Sequence, residues 1–108
     1  MAKSPHVFIV NKGMHDYTQA KEFGQDIIEL SSGYQSHVNV TKMVRDMADI
    51  IEKSDPSDWI LISGPTVLNC IVCILFVQRH GKLNLLIHVS RENLYVPRTV
   101  SFEEKQDG

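Results

Sequence analysis

The sequence predicts an α/β domain built on a mostly parallel sheet, in the element order βαβαβαββ and ending in an antiparallel hairpin. Three observations predict it. Apolar runs of strand length alternate with segments of helical period. The parallel-strand runs are followed by Gly, Ser, Pro or Asn, the residues that βα turns use. The last two runs are separated only by Ser90–Asn93, too short for a crossover, so that pair must be a hairpin.

The elements follow in order. His6–Val10 reads as a buried strand, broken by Asn11-Lys12-Gly13. Asp16 suits an N-cap, with Gln19 as its capping-box partner. A short first helix then carries Tyr17, Ala20 and Phe23 on one face, and Gly24 can close it in the left-handed conformation. Asp26–Leu30 is the second strand and Ser31-Ser32-Gly33-Tyr34 its loop. From about Asn39 to Lys53 the period is helical, with Met43, Met47, Ile50 and Ile51 on one face and Val44 at its edge. Asp55-Pro56 ends that segment, because the residue before proline disfavours helix.

Asp58–Ile62 is the third strand, followed by Ser63-Gly64-Pro65. The next helix starts at Pro65 or Thr66 and runs to about His80. Arg79 and His80 suit its negative end as cations, and Gly81 its cap. Leu83–Val89 and Leu94–Val100 form the hairpin, and Pro97 places the latter at a sheet edge. Strand–helix–strand units imply right-handed parallel crossovers. The arrangement expected is Rossmann-like, with flavodoxin-like order. The whole of 1–108 is read as a single domain, with its core at about 6–100 and a frayed polar tail at 101–108.

Composition bounds the function. A net charge of -2 provides no global basic field for nucleic acid. The longest apolar run, Cys70–Val77, is far shorter than the ~20 residues of a membrane-spanning helix. The opening residues lack the pattern of a signal peptide. A cytoplasmic protein is the expectation, in the host cytoplasm if a phage encodes it. Cys70 and Cys73 form a C-x-x-C inside an apolar helix, where buried structural thiols are expected and no four-ligand metal set is available. No metal and no cofactor are expected.

From Val67 to Val77 only Asn69 is strongly polar. A helix on a sheet should keep a polar outer stripe. Helix 66–80 is therefore expected to meet a second copy of the chain, most simply in a dimer.

In open α/β sheets ligands bind beyond the carboxyl ends of the strands, where strand order reverses. With order 2-1-3-4 that point lies between the first and third strands. The loops there supply Asn11, Lys12, Gly13, Ser63, Gly64 and Thr66, with Asn69 one turn into the helix. Ser32, Gly33 and Tyr34 border the same edge, and Tyr34 could stack on a base. A helix start attracts phosphate, and Lys12 could add charge. The same residues also suit ordinary turns. For catalysis the candidates are His15 and Asp16, without a recognisable constellation around them.

The stretches VFIVNKGMHDYTQAKEFG, DWILISGPTVLNCIVC and HGKLNLLIHV resemble small uncharacterised single-domain proteins of bacteriophages. More distantly, Ile62-Ser63-Gly64-Pro65-Thr66 entering a helix with Asn69 is similar to the helix-start loop of CARF-type domains, dimeric Rossmann-like sensors of cyclic oligonucleotides. Proline replaces the second glycine of their Gly-Gly-Thr-Lys form, and valine stands where lysine would be. With the two polar loops converging at the switch point, the expectation is a homo-oligomeric nucleotide- or phosphate-binding protein, which in a phage setting would sequester or cleave a host nucleotide immune signal. The alternative is an interaction module that inhibits or adapts a host protein without a small ligand, through the apolar helix or the edge strand.

Overall fold

The computed structural model describes residues 5–14, 16–24, 26–31 and 40–102. Five strands form one mixed sheet: β1 (His6–Ile9), β2 (Asp26–Glu29), β3 (Trp59–Leu61), β4 (Lys82–Val89) and β5 (Leu94–Ser101). Their order is β2-β1-β3-β4-β5. The first four run parallel, and β5 returns antiparallel to β4 with Leu86 opposite Pro97. Proline is accommodated because β5 is the edge.

Two α-helices cross between strands, α1 (Val40–Ile51) and α2 (Thr66–His80). The α/β class and the terminal hairpin are as expected. The standard flavodoxin-like arrangement is not: the sheet is mixed, and among the described residues no α-helix is found between β1 and β2. That connection is a five-residue 3₁₀ turn, Thr18–Glu22, preceded by Tyr17 rather than capped by Asp16. Asp16 instead accepts from the backbone and hydroxyl of Thr18, a local turn that competes with helix. So short a segment cannot repay helix nucleation. Gly24 does not have positive φ either. A side chain there would stand 2.5 Å from the Pro5 carbonyl, so close packing demands the glycine.

Strand alternation divides the core into two faces. Phe8, Val10, Ile60 and Leu83 point to one, where Met43, Met47 and Ile51 of α1 and Leu68, Val72 and Phe76 of α2 bury them. Val7, Ile9, Leu61 and Leu86 point to the other. There the cover is thin: Tyr17, Ala20 and Phe23 around the 3₁₀ turn, and Tyr95 from β5. Phe23 meets Trp59 edge-on at 5.7 Å.

Helix α2 begins at Pro65 in extended conformation and ends at Gly81, left-handed at φ 73°. Its outward face is apolar, with Val67 38% and Ile74 57% exposed and Cys70 exposed between them. The two thiols are thus not jointly buried, because the helix's sheet-facing stripe runs through Leu68, Val72 and Phe76 instead. His80 departs from its expected role as a cation. Burial and the Arg79 charge lower its pKa, outweighing Asp55 and Asp58, which favours the neutral ring over the cation. It lies 2.8 Å from Ser54 Oγ, tying the helix end to the chain leaving α1. No helix among the described residues is long and apolar enough to cross a membrane.

At the amino ends of the strands Asp58 is 1% exposed. It accepts from the backbone N–H of His6 and of Asp55, each at 2.8 Å. Replacing Asp58 with Ala leaves two N–H groups without their acceptor, and about 3 kcal/mol of stability should be lost. Urea unfolding should show a lower midpoint at unchanged slope. An unchanged midpoint would show this cluster to be energetically idle. The cysteines give a second expectation. Burial, then neighbouring Cys70, pushes the Cys73 thiol from an ordinary 9.0 to about 11. Only thiolate reacts, so at pH 8 Cys73 should hold about 100-fold less reactive form than an unperturbed thiol. A thiol-specific reagent should modify exposed Cys70 first, as read by mass spectrometry of peptides; equal rates would refute this.

Candidate functional site

A cleft of about 310 Å³ opens at the carboxyl edge of β1 and β3, where strand order reverses. That volume is at the small end of ligand sites. One wall is loop: Asn11 and Gly13 after β1, Ser63 and Gly64 after β3. Aromatic side chains line it as well: Tyr17, Tyr95 and His88. Leu61 and Ile62 contribute apolar surface, and Met14 lies at the site fully exposed.

The loop wall is fixed by a hydrogen-bond clamp. The Asn11 N–H donates to Ser63 Oγ at 3.1 Å. The Ser31 hydroxyl is within 2.7 Å of the Val10 carbonyl and 2.8 Å of Asn11 Oδ1. Gly64 has φ 78°, and a Cβ there would come within 2.5 Å of the Asn11 Cβ. Only glycine permits both the left-handed backbone and that approach. Asn69, 7% exposed, holds the loop from behind. Its Oδ1 accepts from Ser63 N–H at 3.0 Å, and its Nδ2 donates to the Ser63 and Pro65 carbonyls at 2.8 Å each.

The aromatic wall comes from two elements distant in sequence. Tyr17 precedes the 3₁₀ turn, and its phenol accepts from the Gly13 N–H at 3.0 Å. Tyr95 stands opposite His88 across the hairpin, with ring centroids 5.1 Å apart. His88 Nε2 is 3.3 Å from the Asn93 side-chain oxygen. Burial, then Tyr17 and Asp16, raises the Tyr95 pKa, so its phenol stays protonated at neutral pH.

Asn11, Gly13, Ser63 and Gly64 are therefore brought together as the sequence suggests. The other candidates are placed differently. Lys12 points to a neighbouring depression and pairs with Glu29 at 3.1 Å, so its charge is directed away from the cleft. Asp16 lines that same depression, with its carboxyl held below the usual range chiefly by the Thr18 hydroxyl. Thr66 is exposed at the start of α2 and, with Asn69, does not line the cleft. Asn69 is a positioning residue, its amide spent on the loop backbone. Ser32, Gly33, Tyr34 and His15 lie outside the described residues. Among the described residues no cluster suited to a metal is found.

Sequence reasoning missed Tyr17, His88 and Tyr95 as site residues. Alternation placed His88 on a strand surface, but only the hairpin register shows that it shares a face with Tyr95. Tyr17 read as a plain helix-face residue because the 3₁₀ turn was expected to be an α-helix.

No curated protein and no solved structure matches the chain. A family model does, across residues 5–102, the greater part of the sequence. The chain belongs to the family described as Phage Pam3 gp32-like protein.

Proposed function

We propose that this phage-family protein binds a small nucleotide-type ligand in the cleft between the loops after β1 and β3. The observation that carries the reading is one feature: a loop wall, locked by Gly64 against Asn11, together with aromatic side chains in one cleft of ligand size. The position is where open α/β sheets hold their ligands. In an infected host such a protein would sequester a nucleotide signal. Cleavage would need a reacting group beyond those that line the cleft.

A second copy of the chain belongs to the same reading. The outward stripe Val67, Cys70 and Ile74 carries no charge and lies on one side of α2. An uncharged stripe is compatible with itself about a two-fold axis. An interaction module that adapts a host protein would use the same stripe or the β5 edge, and nothing specific favours it over a second copy.

Thermal-shift measurements and calorimetry against mononucleotides, cyclic dinucleotides and cyclic oligoadenylates should give at least one saturable response. Replacing Gly64 with Ala, which strains the loop and pushes on Asn11, should weaken it about 10-fold or more. A flat response across the panel would overturn the binding reading. Light scattering at micromolar concentration should give twice the 12.3 kDa chain mass. Replacing Ile74 with Lys should return it to the single-chain value, whereas a native protein of single-chain mass would exclude the dimer.

A further inference from the structure

Charge is distributed unevenly around the cleft. Among the described residues, no lysine, arginine or carboxylate lines it. The nearest lysine in sequence, Lys12, serves Glu29 in the adjoining depression. The walls are instead neutral and flat-sided. Tyr17 and Tyr95 are 8% and 9% exposed, and each turns part of its remaining surface to the cleft. Ile62, 37% exposed, adds apolar surface to the same lining. A phosphate placed against that surface would lose water without meeting a cation, which is costly. A planar ring would lose little, because aromatic side chains offer face and edge contacts that depend weakly on ring identity.

The rest of the lining fits the same class. The Ser63 hydroxyl, which accepts from the Asn11 N–H and can still donate, and the Gly64 backbone add polar groups to the lining, of the kind that orients the edge of a heterocycle. Met14 is fully exposed at the site. Its flexible thioether can fold onto an aromatic face once one is present.

We infer that the cleft takes an uncharged planar heteroaromatic ring of the nucleobase class, held between the Tyr17–Tyr95–His88 wall and the Ser63–Gly64 loop, with any phosphate of the same ligand left outside in solvent. This rests on the reading of the cleft as the ligand site and specifies which part of the ligand enters it. The protein is on this account a reader of bases rather than a phosphate cradle.

The test is calorimetry on the full chain with adenosine, guanosine, cytidine and uridine, their 5′-monophosphates, ribose 5-phosphate and inorganic phosphate. At least one nucleoside should bind within about 10-fold of its monophosphate, and neither ribose 5-phosphate nor phosphate should compete. His88→Ala, on an exposed side chain, and Met14→Ala should each weaken the nucleoside, and Tyr95→Leu should weaken it about 10-fold or more. Circular dichroism checks that Tyr95→Leu still folds, and the two exposed-site variants decide the matter if it does not. Should the monophosphates bind while nucleosides do not, with phosphate competing, the base assignment fails and the cleft remains a nucleotide site. Binding of nucleosides that none of the three variants changes would place the ring elsewhere and overturn the assignment. If no compound binds, both readings fall.

Discussion

The contact between Gly64 and Asn11 governs the functional edge of this molecule. Two loops that follow neighbouring parallel strands must turn away from the sheet without opening a gap between them. Gly64 does so in the left-handed region, and its missing side chain lets Asn11 approach to where a Cβ would stand 2.5 Å away. The Asn69 amide then satisfies both polar groups of Ser63 from behind, so buried backbone is not left without partners. Every polar side-chain atom buried among the described residues is satisfied. The loop side of the cleft is consequently held in place by the chain's own hydrogen bonds.

The two faces of the sheet are covered unequally. Right-handed crossovers put α1 and α2 together on one face. The β1–β2 connection falls on the opposite face, and there the chain supplies a 3₁₀ turn. Three side chains, Tyr17, Ala20 and Phe23, do the work a full helix would do elsewhere. A longer helix would cover more of that face. Tyr17 beside that turn and Tyr95 of the hairpin belong to this thinly covered cluster, and both line the cleft.

Much of this was legible from local pattern. Strand runs, the Ser63–Thr66 loop, the Pro65 start and Gly81 end of α2, and the Pro97 edge all rest on short-range chemistry that a sequence states directly. So did the half of the site made of loops, since βα turns at a switch point are a topological consequence. The aromatic half was not legible, because it depends on register. His88 and Tyr95 are seven residues apart and meet only through antiparallel pairing. The first helix was misjudged for a different reason. Asp16 looks like a helix cap, yet its carboxyl is equally able to close a turn on Thr18, and in a five-residue segment the turn prevails. Lys12 misled in a third way: its charge was visible, but the cross-strand approach of Glu29 was not.

These placements bear on what kind of chemistry the site supports. A bond-breaking site pairs groups whose environments drive their proton affinities apart, so that one donates while the other accepts. Here the buried phenol of Tyr95 is shifted towards keeping its proton. Asp16 is exposed, tied to Thr18 in the next depression, and its pKa is lowered there. His88 is the one imidazole lining the cleft among the described residues; its ring lies against Tyr95, and its Nε2 is 3.3 Å from the Asn93 side-chain oxygen. Neutral rings, a glycine loop fixed against Asn11 and an exposed methionine meet in one cleft, and the proposed binding rests on that lining.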